Sequence, residues 1–134
     1  MVIKTAYTNS SDYLIAPELA FALSAQISAT GIAAGSDGRK VIKAGTPLYI
    51  AAGKNVYQDR TEKLTTAAKA GETDNTLVGI ARHDIDVTYG DANDAVLTRG
   101  YVEWYRLDSS VQTALTAAIQ NTLKPEIIFV KGAK

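Results

Sequence analysis

Leu77-Val78-Gly79-Ile80-Ala81, bounded by Asp74-Asn75 before it and Arg82-His83-Asp84 after it, is the stretch on which the reading of this chain turns. A brief apolar run between turn-forming residues reads as a buried strand. Ile85 and Val87 continue it, alternating with Asp84 and Asp86. Gly90-Asp91-Ala92-Asn93-Asp94 supplies a turn, and Ala95 to Trp104 reads as the next strand, with Gly100 at a bend or bulge. The two strands make a hairpin.

Working outward, Val41 to Ala44 and Pro47 to Ala51 are short apolar runs on either side of Gly45-Thr46, where glycine can supply a backbone angle closed to other residues. Ser36-Asp37-Gly38 predicts a turn of the hairpin type. Leu19, Phe21, Leu23, Ala25 and Ile27 alternate with small residues, a strand pattern, although the alanines between them also suit a helix. Residues 58 to 76 carry few large apolar groups, so they belong on the surface, anchored by Leu64. Towards the C-terminus, Asp108-Ser109-Ser110 offers capping side chains ahead of Val111, Leu115, Ala118, Ile119 and Thr122, whose spacing predicts one helix closed by Pro125. Glu126 to Val130 forms a last strand. The expected architecture is therefore mainly β, a β-rich α+β domain of barrel or sandwich type with one C-terminal helix.

A chain of 134 residues sits at the usual size of one domain. Its charges balance, with 14 basic and 14 acidic residues, and no basic stripe is interleaved with aromatics, which argues against a nucleic-acid partner. The absence of cysteine excludes disulfides, thiolate metal sites and a cysteine nucleophile. No long apolar run and no signal-type segment is visible, so no membrane partner is expected and synthesis and use in the cytosol are. Asn9-Ser10-Ser11 matches a glycosylation sequon by letter and reads as a polar loop.

Residues that could carry chemistry are few. His83, flanked by Arg82 and Asp84, would need a serine nucleophile and an orienting Asp84 or Asp86, but neighbours on a strand point to opposite faces. Asp84, Asp86, Asp91, Asn93 and Asp94 gather oxygen ligands about one turn, without the spacing or the closing acidic ligand of an EF-hand. These residues also favour turns for their own hydrogen bonds. The glycines do not form a phosphate-cradling motif. Neither catalysis nor a cofactor or metal is expected.

Adhesion is the better expectation. Residues 1 to 17 read as an extended N-terminal arm that carries Val2, Ile3, Tyr7, Tyr13, Leu14 and Ile15, either an ordinary frayed terminus or a segment that orders on a partner, leaving residues 18 to 134 as the domain. Tyr101, Trp104 and Tyr105, with Tyr89 nearby, concentrate aromatic surface and make a candidate subunit interface. A core or strand-face cluster is the simpler account of the same aromatics.

Taken in order, Lys43-Ala44-Gly45-Thr46-Pro47-Leu48, Leu77 to Ala81, Asp84-Ile85-Asp86-Val87-Thr88 with Gly90-Asp91-Ala92, and Ala95 to Gly100 resemble the head decoration proteins of tailed phages, of the lambda type or a related head-protein branch. The resemblance spans about residues 41 to 108; the Leu19 to Ile27 segment and the C-terminal helix and strand fall outside it. It implies a virion protein without enzymatic activity that binds the outside of an expanded capsid, commonly as homotrimers, and stabilises it by bridging major capsid protein subunits. The family's N-terminal arm, which orders on the major capsid protein, corresponds in position to residues 1 to 17. A different function for the same aromatics is a virion-displayed module that binds carbohydrate or host surface, with Trp104 and the tyrosines as stacking platforms.

Overall fold

A computed structural model describes residues 12–132. Its strands are β1 (Leu14–Ile15), β2 (Phe21–Ile27), β3 (Val41–Ile42), β4 (Pro47–Ile50), β5 (Lys69–Ala70), β6 (Thr73–Asp74), β7 (Thr76–Ala81), β8 (Ile85–Asp86), β9 (Ala92–Glu103) and β10 (Ile127–Val130). Two helices, α1 (Ser109–Ala114) and α2 (Ala117–Leu123), precede β10. The domain is mainly β, as the apolar patterning predicts, with several antiparallel sheets.

The long strand β9 organises the rest. Along one side it pairs antiparallel with β2 and then with β1, and it also pairs with β7 and, in parallel, with β10. Beyond β7 lies β4, again antiparallel. The open row β4-β7-β9-β2 is then drawn into a ring by residues with no strand pattern of their own. Leu64 bridges to Ile27, and Thr65 bridges to Tyr49 on β4. The Leu64 amide donates to the Gln26 carbonyl at 2.9 Å and its carbonyl accepts from Ser28 at 2.8 Å. Tyr49 and Thr65 exchange amide bonds at 2.8 Å each. Closure leaves these sheet edges paired rather than open.

Two cores lie on opposite faces of this wall. One, inside the ring, holds Ile27, Leu48, Ile50, Leu64, Ala81, Ile85, Val87 and Val96. The other, between the wall and the helices, holds Tyr13, Ile80, Leu97, Val102, Leu107, Val111, Leu115 and Ile127. Consecutive residues of a strand face opposite ways, so Ile80 and Ala81, like Leu97 and Val96, serve different cores. That is why the sequence there is apolar without alternation. Ile85 and Val87 are buried while Asp84 and Asp86 are exposed, as the alternation predicts, but the chain bends at residues 82–83 and β8 pairs with β3 instead of continuing β7.

The structure corrects the pattern reading in several places. Ser36-Asp37-Gly38 does turn, with the Gly38 amide on the Gly35 carbonyl at 2.9 Å, but β3 pairs with β8 rather than with a strand before the turn. Residues Pro17–Leu19 form a 3-10 turn, so Leu19 is not in the strand, and Leu19 and Phe21 are exposed. The irregularity in β9 falls at Thr98: Phe21 faces Arg99 whereas Ala22 faces Leu97. Gly100, two residues on, begins the segment that pairs with β10.

The expected single helix is two. Asp108 caps α1, accepting from the Ser110 amide, and the helix ends at Leu115. Thr116 then caps α2 through its hydroxyl, which accepts from the Ile119 amide. A threonine that offers the backbone a local acceptor competes with helix continuation. The Gln120 side chain donates to the freed Leu115 carbonyl at 2.7 Å, which stabilises the break.

Candidate functional site

The N-terminal strand does not hang free at its inner end. Tyr13, Leu14 and Ile15, expected in the arm, pack against the domain: Tyr13 is buried, and Leu14 and Ile15 pair with β9. Tyr13 is 2 % exposed, and its hydroxyl reaches across the wall to donate to the Ala81 carbonyl at 2.8 Å. Leu14 faces Val102 and Ile15 faces Tyr101 on β9. Val2, Ile3 and Tyr7 of the expected arm lie outside the described residues.

Asp12 holds this attachment by charge. Arg82 donates from its two terminal guanidinium nitrogens to the Asp12 carboxylate, at 2.9 and 3.1 Å, a bidentate geometry stronger than a neutral hydrogen bond. The same guanidinium lies 5.6 Å from the Tyr13 ring centre, and Arg106 donates to the Asp12 carbonyl at 3.2 Å. The side chains of Arg82 and Asp12 are only 15 % and 29 % exposed, so water screens the pair less than a surface pair. Burial pushes the Tyr13 hydroxyl well above its ordinary value; the Asp12 charge adds to this and Arg82 opposes it.

Partial burial raises the Asp12 carboxyl, but the Arg82 hydrogen bond, the Leu14 amide and the charges of Arg82 and His83 outweigh it, and the net direction is downward. A carboxyl depressed in the folded state contributes stability that is complete above its unfolded value near ~4 and is lost as pH falls through the folded value. Asp12→Asn should therefore cost about 1 kcal/mol at pH 7. The gap from the unaltered chain should close as urea unfolding is repeated below about pH 4. A gap of constant size down to the lowest pH would show that the ion pair is not its source.

Beside this attachment, β1, β9 and β10 present an outward face. Ile15 lies opposite Tyr101, and Tyr101 lies opposite Ile128. Tyr101 is 43 % and Ile15 37 % exposed. Trp104 and Tyr105, the other candidate interface residues, belong to a 3-10 turn, Trp104–Arg106, that follows β9. The Trp104 ring is half-buried, with Phe129 against it edge-on at 5.7 Å and the Lys131 ammonium 4.4 Å from its centre. Tyr89 is fully exposed at a turn distant in sequence from this face.

The carboxylates that suggested a metal site are each engaged by hydrogen bonds or ion pairs within the chain. Asp84 accepts from the Ala44 amide, Asp91 from the Ala29 amide and Lys63, and Asp94 from the Ala95 amide. Asp86 accepts from the Thr88 hydroxyl and amide and pairs with Arg39; these bonds, the hydroxyl's first, hold its carboxyl low. Among the described residues no group of three or more His, Cys, Asp or Glu side chains is placed to hold a metal ion. A cleft of about 330 Å³ lies over Asp37, Arg39, Lys43, Asp84 and Asp86. His83 is exposed beside it in sequence and is not among its lining residues.

Sequence reasoning missed Asp12, Arg82 and Arg106 as a set. They are separated by tens of residues, and the pairing of both β1 and β7 with β9 brings them together. Among the described residues no helix is long and apolar enough to cross a membrane. No protein-family model, curated protein or solved structure matches the chain.

Proposed function

We propose that this chain is a virion structural protein that binds the outer surface of an assembled, expanded tailed-phage capsid and stabilises it by bridging major capsid protein subunits. The observation that carries the reading is the clamp at Asp12 and Tyr13. Residues 1–11 run directly into a point tied by a bidentate ion pair and a buried hydroxyl to Arg82 and Ala81, just after β7 and at its last residue. Force applied through the N-terminal segment would thus be passed to the wall between both cores. A tether that grips a partner needs such an anchor, and the apolar Val2, Ile3 and Tyr7 are suited to adhesion. Binding only to the assembled lattice would shift the equilibrium against disassembly without turnover. Trp104 gives less support to a carbohydrate-stacking role, because Lys131 already occupies a ring face.

The test is occupancy. Purified chain and a version lacking residues 1–11 are mixed with expanded and unexpanded empty heads, and bound copies are counted. The full chain should decorate expanded heads selectively. The shortened chain should keep its circular dichroism and lose at least about tenfold in affinity, the size of a few lost strand contacts. Equal occupancy by both chains would remove the tether from the mechanism, and failure of the full chain to bind any head would end the proposal.

A further inference from the structure

The outward face of β1, β9 and β10 has a charge order that decides what could cover it. Directly opposed residues share a face of a sheet, so Ile15, Tyr101 and Ile128 form a row across the three strands. Their neighbours Leu14, Val102 and Phe129 belong to the core on the other side. Phe21, 50 % exposed, lies opposite Arg99 and extends the row. Isolated exposed apolar residues are ordinary, whereas a contiguous set marks an interaction surface.

On β9 itself Arg99, Tyr101 and Glu103 occupy alternate positions, two residues apart. Their side chains share this face, with the cation and the anion each roughly 7 Å along the strand from the tyrosine. Among the described residues, neither Arg99 nor Glu103 has a salt bridge or a side-chain hydrogen bond. The order positive, aromatic, negative is its own complement under one operation. A two-fold axis over Tyr101, perpendicular to β9 and lying in the plane between two molecules, runs the two β9 strands antiparallel. It sets Arg99 against Glu103 of the second copy, Glu103 against Arg99 of the second copy, and the tyrosines together. Running the strands parallel would set like charges against each other.

We infer that this face is a two-fold interface between copies of this chain, centred on Tyr101 and fixed in register by reciprocal Arg99–Glu103 pairs. An isologous interface repeats every contact, so one substitution is felt twice. The charge order, rather than apolar area alone, selects a second copy over an unrelated partner.

Sedimentation equilibrium tests the inference without any capsid, so its result stands apart from the decoration proposal. The unaltered chain should form dimers at concentrations up to about 100 μM, within the range of modest interfaces. Arg99→Glu and Glu103→Arg should each weaken dimerisation by about tenfold or more, since each places two like-charge pairs in the interface. The double variant restores opposite charges at both places and should return to within about threefold of the unaltered chain. Tyr101→Ala should leave a folded monomer. A chain that is monomeric throughout, one that forms trimers, or a double variant no tighter than either single variant would overturn the inference.

Discussion

Replacing Gly79 by alanine should lower the free energy of unfolding by about 3 kcal/mol or more, at the upper end of the cost of overpacking. Gly79 sits on β7 where that strand crosses β9, and a Cβ there would fall against the Leu97 carbonyl oxygen, far inside van der Waals contact. The obstructing atom is backbone, so no rotamer change can clear it. Relief requires β7 and β9 to separate, which loosens both cores at once, since Ile80 and Leu97 pack into one and Ala81 and Val96 into the other. Gly132→Ala is the control, because nothing lies within 4 Å of the added carbon. Urea unfolding of both variants measures the effect. A Gly79→Ala chain as stable as the control would mean that β7 and β9 are less closely apposed than described.

Leu64→Ala should cost about 3 kcal/mol, within the usual range for truncating a buried leucine. Leu64 is 0 % exposed although most residues around it are on the surface, and it fills the ring interior beside Ile27 and Ile50. Its backbone also closes the ring by bonding to Gln26 and Ser28. Truncation should therefore act locally as well as globally. Hydrogen exchange at the Ser28, Leu64, Thr65 and Tyr49 amides should accelerate more than exchange in β9. Uniform acceleration along the chain would show that the 64–65 segment is not a separable seam.

Much of the strand content was legible because it is written in local patterns. The apolar run at Leu77 to Ala81, the alternation at Ile85 and Val87 and the apolar C-terminal stretch at Ile127 all reflect side-chain burial on a pleated backbone. Leu64 stood out as a lone large apolar group in a polar stretch, and it proved to be a buried anchor. The helix was placed correctly at Asp108 and then read through Thr116, because spacing reports an apolar stripe but not a side chain that competes for the backbone inside it.

The attachment site was only half legible. The aromatic row was visible as composition, yet Trp104 turned inward against Phe129 while Tyr101 stayed outward with Ile15. Tyr13 looked like part of a loose arm because the apolar residues of its segment are mixed with small polar ones without a helical period, and its hydroxyl partner lies 68 residues away.

Period and punctuation in the residues were enough to specify a β-rich domain without thiol chemistry, since these depend on backbone preferences and burial within a few neighbouring positions. Folding in three dimensions decided the rest: the ring seam at Leu64 and Thr65, the union of Asp12 with Arg82, and the ordered Arg99, Tyr101 and Glu103 face. Each of these depends on which strand lies beside β9 and in what register. That choice is made by the packing of both cores together, and no single segment carries it.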